Sequence, residues 1–381
     1  MKLPVQATQN HIHPWKNWIS FLLVMLVCGC TLPESPAAET PTWVANFSDH
    51  MEGLVSMDQF SGAALVAWQG EVVLEKVYGL ADRDRKILIE TDTLFNLGSM
   101  NKMFTAVAIL QLVEDGRLSL EDRLVDVYPD YPNQDVAEEV TIHQLLTHTS
   151  GMGDCFTGDF FTTPVDQLRT LEGYLPLFVS KPLQFAPGSQ YGYSNEGYIV
   201  LGLVIEKVTG EEYDAYVREN IFQPAGMKDT GSYALDEPRE DMAIGYTTQD
   251  AEGNDTGVLV ENTSLMPIKG TSAGGGFSTL RDLYRFSQSL LANELLDAET
   301  TKDLLKGKVV IRENVLAAYG FMDKVIAGQR VLGQGGNAPG VCNLLEIYPD
   351  LGTVVIILSN TDSGCLRVRD YMLENPIQGE N

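Results

Sequence analysis

Beyond His148 the sequence contains no histidine, and only five occur in its 381 residues. A hydrolase that pairs an activated serine with a histidine further along the chain is thereby excluded for every serine after that point. The exclusion bears on Gly270-Thr271-Ser272-Ala273-Gly274, which fits the G-x-S-x-G nucleophile elbow but has no apolar strand pattern before it. His143 and His148 are five residues apart around a helix end. That spacing does not set two imidazoles side by side on one helix face, so structural hydrogen bonding reads better than a metal pair. Cysteine is scarce as well: Cys28, Cys30, Cys155, Cys342 and Cys365 match no zinc-ligand spacing. Basic residues are outnumbered 26 to 52, for a net charge of -26. No basic stripe exists to neutralise phosphates, which excludes nucleic acid as a partner and disfavours docking on an anionic membrane surface. The excess acid reads as a solvated, solubilising surface. Glu252-Gly253-Asn254-Asp255 reads as a solvated turn, because Asp255 stands where a calcium loop needs glycine. No internal repeat is visible, and the content of 44% hydrophobic and 20% charged residues is that of an ordinary globular protein.

The apolar run Trp18 to Val27 falls short of the roughly 20 residues that span a bilayer. Lys2 and Lys16 precede it and no acid occurs before Glu34, a pattern that suits a signal-peptide core. It ends in Val27-Cys28-Gly29-Cys30, which resembles a bacterial lipobox with Cys30 as the lipidated anchor, although Cys28 is atypical there. The reading is a leader over 1–29, a tether over 30–41 and one domain over 42–375, held at the cell envelope by lipid, with ordinary secretion as the alternative. In an oxidising compartment one pair among Cys155, Cys342 and Cys365 could bridge, but buried or free thiols are the favoured reading.

Within the domain, Trp43 to Val55 reads as an amphipathic helix, and Ser61 to Trp68 and Glu71 to Tyr78 as strands around a Gln69-Gly70 hairpin turn. A helix opens near Ser99 and closes at Asp115-Gly116, apolar on most sides and therefore central. Further helices are expected at Thr141 to Leu146, Asn195 to Val208, Tyr213 to Ile221 and Ser278 to Leu295, with a hairpin over Met242 to Val260. Strands are expected at Val315 to Phe321, Arg330 to Leu332, Val341 to Tyr348 and Thr353 to Ser359, then a last helix from Leu366 to Leu373. Strands at both ends and helices between them predict an α+β fold. One antiparallel sheet is built from 42–98 and 271–375, flanked by helices, with a mostly helical insertion over 99–270.

Ser99-Met100-Asn101-Lys102 places a hydroxyl and an amine three residues apart at a helix start. Positions i and i+3 share a face, so a desolvated lysine can act as base toward the serine. Ser-x-x-Lys recurs by chance in many helices, where it is a surface lysine one turn from a cap. Tyr191-Gly192-Tyr193-Ser194-Asn195 supplies a phenol that can relay the proton and an amide that can orient lysine and substrate. Its plainer reading is a turn with Asn195 as the cap of the next helix.

Taken together with Gly333-Gln334-Gly335-Gly336-Asn337-Ala338-Pro339-Gly340, read as a Gly-rich strand entry, these motifs resemble the class C β-lactamase and penicillin-binding-protein superfamily of serine hydrolases. Phe95-Asn96-Leu97-Gly98, Leu145-Leu146-Thr147-His148-Thr149-Ser150-Gly151 and Ser272-Ala273-Gly274-Gly275-Gly276 also look like that family. The resemblance implies a β-lactamase/transpeptidase-like fold. It also implies Ser99 as the acylated nucleophile, Lys102 and Tyr193 as the proton-transfer pair, and Asn195 on the substrate amide. The oxyanion hole would be the backbone N–H groups of Ser99 and Asn337, the latter on an edge strand. The partner implied is a small-molecule or peptide substrate, and no cofactor or metal is implied.

The chain departs from the pattern at Gln334, where the family places lysine or histidine ahead of Gly335 and Gly336. A neutral amide in place of a charged donor weakens the hold on a substrate carboxylate by on the order of 1 kcal/mol. The expectation is a hydrolase for D-amino-acid peptides, peptidoglycan fragments or small esters that is an inefficient β-lactamase. The alternatives are a slowly acylating or non-catalytic penicillin-binding scaffold, or a true β-lactamase.

Overall fold

Gln69 and Gly70 both adopt positive φ, 51° and 84°, the left-handed pair that a two-residue hairpin turn requires. That turn joins β1 (Gly62–Trp68) to β2 (Glu71–Tyr78) and starts the sheet on which the molecule is built. The computed structural model describes residues 41–237 and 239–377, so the leader, Cys30 and nearly all of the tether lie outside the described residues.

The other six strands come from the far end of the chain: β3 (Val309–Arg312), β4 (Val315–Ala317), β5 (Met322–Ile326), β6 (Gln329–Ala338), β7 (Val341–Tyr348) and β8 (Thr353–Ser359). The sheet runs β2-β1-β8-β7-β6-β5-β4-β3, antiparallel throughout, and the two chain ends meet where Gly62 pairs with Ser359 and Trp68 with Thr353. β7 and β8 are buried at every residue, because both faces of the sheet are covered. On one face lie α1 (Thr42–Ser56) and the C-terminal helix Gly364–Glu374, against Val355 and Ile357. On the other, Ile356 and Leu358 join the large core that contains α2 (Asn101–Glu114) and the helix Leu280–Leu291.

α2 is buried at eleven positions, from Asn101 to Leu110 and at Leu112, which explains why its sequence is apolar on most sides. Packed against it is α3 (Asn195–Thr209), capped by the Ser194 hydroxyl accepting from Gly197 N and stopped by Gly210 in the left-handed region. The cap is therefore Ser194, which frees the Asn195 side chain for other work.

Two other expectations change, and a third is sharpened. The strand expected over Val315 to Phe321 ends at Ala317, because Gly320 at φ 70° turns the chain into β5. The run Arg330 to Leu332 and the Gly-rich strand entry from Gly333 form one continuous strand, β6, that ends at Ala338. Cys342 and Cys365 form a disulfide, with Cα atoms 5.3 Å apart, that ties the C-terminal helix to β7; Cys155 stays a buried free thiol. Strand β3 and the helix Ala298–Leu305 were not anticipated.

Candidate active site

Ser99 sits in a 3-10 turn, Gly98–Met100, that leads directly into α2. Lys102 follows three residues later in the first turn of α2, so its side chain lies on the same face as Ser99. Lys102 Nζ lies 3.3 Å from Ser99 Oγ, 2.7 Å from Asn195 Oδ1 and 2.5 Å from the Ala273 carbonyl oxygen. Its side chain is 0% exposed, and burial pulls its pKa down from 10.5 to about 7, against the opposing pull of the Asp154 carboxylate. A neutral amine has two N–H donors and one lone pair. The two purely accepting oxygens take the donors, so the lone pair is left for the Ser99 hydroxyl proton. The geometry thus matches a lysine poised as base.

Tyr193 approaches from the opposite side, its hydroxyl donating to Ser99 Oγ at 2.8 Å. Although Tyr193 is 38% exposed, desolvation of its hydroxyl end, which points inward to Ser99, raises its pKa above the ordinary 10, so the phenol keeps its proton at neutral pH and can donate one. His148 fixes this tyrosine without entering the chemistry. Its Nδ1 accepts from Ser194 N at 3.1 Å, its carbonyl accepts from Gly192 N, and its ring lies 4.5 Å from that of Tyr193. Burial and the nearby Lys102 push the His148 pKa down to about 3, so it stays neutral. His143 bonds Tyr319 through Nδ1, a structural contact away from Ser99.

Asn195 spends its amide on both sides: Oδ1 accepts from Lys102 and Nδ2 donates to Asp154 Oδ1 at 3.0 Å. Asp154, the Ala273 carbonyl and Asn101 were not foreseen. Asn101 staples the start of α2 to the loop below by donating to the Thr271 carbonyl and accepting from Gly276 N. No local pattern marks Asp154 as a site residue, since it follows a glycine in a loop and its contact with the site is to a residue 41 positions away.

The third motif reaches the site through backbone. A Cβ on Gly336 would run into the Leu97 carbonyl, and one on Gly98 would lie 3.1 Å from Asn337 N. Only glycine at both positions lets β6 and the Ser99 turn come this close. β6 is not the edge strand expected, because β5, β4 and β3 lie outside it. β5 pairs only as far as Gly333, however, so Gln334 to Ala338 form a local free edge beside Ser99. Unpaired strand backbone of this kind is where an extended substrate can add its own amide groups.

The sequence matches the Beta-lactamase family over residues 46–374. The chain belongs to that family. It is 31% identical to penicillin-binding protein 4* of Bacillus subtilis (strain 168) over 324 residues, covering 82% of this chain and 70% of that one. It is 37% identical to the esterase EstB of Burkholderia gladioli over 196 residues, covering 48% of this chain and 49% of that protein. The crystal structure of a penicillin-binding protein from Bacillus halodurans superposes with a TM-score of 0.77 at 35% identity, covering 86% of this chain and all of that one. The β-lactamase/transpeptidase fold and the serine-hydrolase class follow.

In this β-lactamase-family hydrolase the rival serine is sealed. Ser272 is 0% exposed, its Oγ finds no partner among the described residues, and it packs against Gly202 of α3. What that motif contributes is the neighbouring Ala273 carbonyl.

Ser99 opens onto a cavity of about 730 Å³ that Tyr193, Gln334, Gly335 and Asn337 also line. Gln334 is 4% exposed, and its Oε1 makes no hydrogen bond among the described residues. Gln334→Lys is expected to raise kcat/KM for a carboxylate-bearing cephalosporin about 5-fold relative to a neutral phenyl ester, the ratio that corresponds to about 1 kcal/mol. An unchanged ratio in parallel assays of the two substrates would show that Gln334 does not face the substrate carboxylate.

Proposed function

We propose that this protein is an envelope serine hydrolase that cleaves amides or esters, of D-amino-acid peptides, peptidoglycan fragments or small esters, through an acyl-enzyme on Ser99. The single observation carrying it is the double contact on Ser99 Oγ, from a buried low-pKa Lys102 on one side and a protonated Tyr193 on the other. Ser99 Oγ adds to the substrate carbonyl carbon while its proton passes to Lys102 Nζ. The carbonyl oxygen becomes an oxyanion held by the N–H groups of Ser99 and Asn337. The ammonium formed on Lys102 is compensated by the rings of Tyr193 and Tyr198, whose centroids lie 4.9 and 5.4 Å away. Collapse breaks the bond to the leaving atom, which takes the Tyr193 hydroxyl proton. The phenolate then recovers the proton stored on Lys102. Water repeats the sequence on the acyl-enzyme, releasing the acid and restoring the Ser99 hydroxyl.

The envelope location rests on the leader ending at Cys30 and on relatives named as penicillin-binding proteins. One experiment tests both parts. The full chain is expressed in a bacterial host, intact cells are treated with a membrane-permeant fluorophosphonate, and the cells are fractionated. The expected result is one adduct, in the membrane fraction, on the tryptic peptide carrying Ser99, which moves to the soluble fraction in Cys30→Ser. No adduct refutes the acyl transfer, and an adduct in the soluble fraction of the wild type refutes the anchor.

A further inference from the structure

Asn195 serves the proton relay only one way round. With Oδ1 toward Lys102, it takes an N–H of the amine and leaves the lone pair to the Ser99 hydroxyl. Turned over, the same amide would aim its NH₂ group at that lone pair and occupy the electrons that have to accept the Ser99 proton. Shape does not separate the two orientations, because the ends of an amide differ in hydrogen bonding and hardly in size. The group on its far side does. Asp154 Oδ1 accepts from Asn195 Nδ2 at 3.0 Å, and a carboxylate has no proton to offer in return. The inverted amide would set its oxygen against that carboxylate oxygen, two acceptors with no hydrogen between them.

Asp154 itself stands exposed on its loop, yet its carboxylate is fixed. The Phe156 N–H donates to the same Oδ1 at 2.9 Å, and the residues on either side, Gly153 and Cys155, are buried. Gly153 is held by Glu196, the residue after Asn195 and a carboxylate that the acyl-transfer steps do not use. Glu196 is 4% exposed, and its Oε2 accepts from Gly153 N at 2.7 Å. Its Oε1 makes no hydrogen bond among the described residues and faces Lys181 Nζ at 3.7 Å. The Gly153 carbonyl accepts in turn from Ser194 Oγ at 2.9 Å and from Glu196 N at 3.3 Å. Burying a carboxylate costs stability, which the dipole at the start of α3 offsets only in part. What this one secures is a closed ring of contacts. It runs from Gly153 to Asp154 along the loop, across to Asn195, and back through α3 to Glu196.

We infer that Asp154 and Glu196 are positioning residues of the proton relay: Glu196 latches the loop to the start of α3, and the Asp154 carboxylate keeps the Asn195 carbonyl turned toward Lys102. The assignment rests on the acyl-transfer reading and is tested with para-nitrophenyl acetate. Turnover by the full chain is read as kcat/KM at about pH 8.5, where Lys102 is a free amine. Asp154→Ala should lower kcat/KM at least about tenfold, the scale of a lost hydrogen bond to a charged group. Its melting temperature should not move, because the side chain lies outside the core. Asp154→Asn should stay within about threefold of the wild type, since the Phe156 N–H holds an asparagine oxygen where Oδ1 now stands. Glu196→Gln keeps an oxygen for Gly153 N and should also stay active, whereas Glu196→Ala should fall as Asp154→Ala does. In an Asn195→Ala background, adding Asp154→Ala should cost no more than about twofold, because the amide that it orients is gone. Wild-type rates in Asp154→Ala, no rescue by Asp154→Asn, or a loss as large without Asn195 as with it, overturn the inference. A wild type that neither turns over this ester nor forms a fluorophosphonate adduct would instead remove the acyl-transfer reading, and this assignment with it.

Discussion

Ser99→Ala should lower kcat/KM for any ester or amide substrate by roughly 10⁴-fold or more, the scale found when a nucleophile that acts as one unit with its base is removed. The loss is expected with the fold intact. Ser99 is only half-buried, and Lys102 keeps two of its three contacts, to Asn195 Oδ1 and to the Ala273 carbonyl. Near-identical circular dichroism and melting temperature, together with absent turnover and absent fluorophosphonate labelling, is the result that places the chemistry at Ser99. Retained turnover would move the nucleophile, and Ser272 is a poor refuge for it because no substrate reaches a serine sealed against Gly202. Since no histidine follows position 148, Ser272 also lacks the later histidine that its nucleophile-elbow motif would need.

Lys102→Met should cost on the order of 10²–10⁴-fold in kcat/KM, the usual contribution of a positioned general base. Methionine fills the same buried volume without charge, but it leaves Asn195 Oδ1 and the Ala273 carbonyl without their donor, a stability cost of about 1–3 kcal/mol. Lys102→Arg should not rescue activity, because a guanidinium stays protonated across the working range. The pH profile separates a base from a merely structural lysine. With its pKa lowered to about 7, wild-type Lys102 is an ammonium in acid and a free amine in alkali. The sign is therefore fixed: kcat/KM should fall about tenfold per pH unit below about 7 and level off above it. Tyr193, raised above 10 by burial, should give no alkaline loss below that point. A flat acid limb in kcat/KM would mean that Lys102 is not the group that titrates.

Those two expectations show how unevenly the site was legible. Ser99 and Lys102 stand three residues apart at a helix start, so their proximity follows from residue spacing alone. Tyr193 and Asn195 were identified by their motif, yet their contact with Ser99 and Lys102 depends on α3 packing against α2 across a separation of more than ninety residues. The motif also carried a wrong local detail. Asn195 was read as a plausible helix cap, a role that the neighbouring Ser194 takes because its hydroxyl reaches Gly197 N. His148 was read as structural and is so, held neutral by burial beside a lysine.

The sequence by itself determined the α+β class, most of the strand and helix order, the exclusion of a nucleophile elbow followed by a histidine at Ser272, and Ser99, Lys102, Tyr193 and Asn195 as the candidate site. The first three follow from periodicity and composition, Ser99 and Lys102 also from local spacing, and the grouping with Tyr193 and Asn195 from the resemblance of their motifs to the family. Only the tertiary structure decided that β5 stops at Gly333 and leaves Gln334 to Ala338 as a free edge beside Ser99. It alone paired Cys342 with Cys365, brought Asp154 and the Ala273 carbonyl to the site, and opened two cavities onto the Ser99 side chain. The physical reason is that such contacts arise where separate chain segments are driven together by burial of a shared core, and the residues that meet there carry no mark of it in their own neighbourhoods.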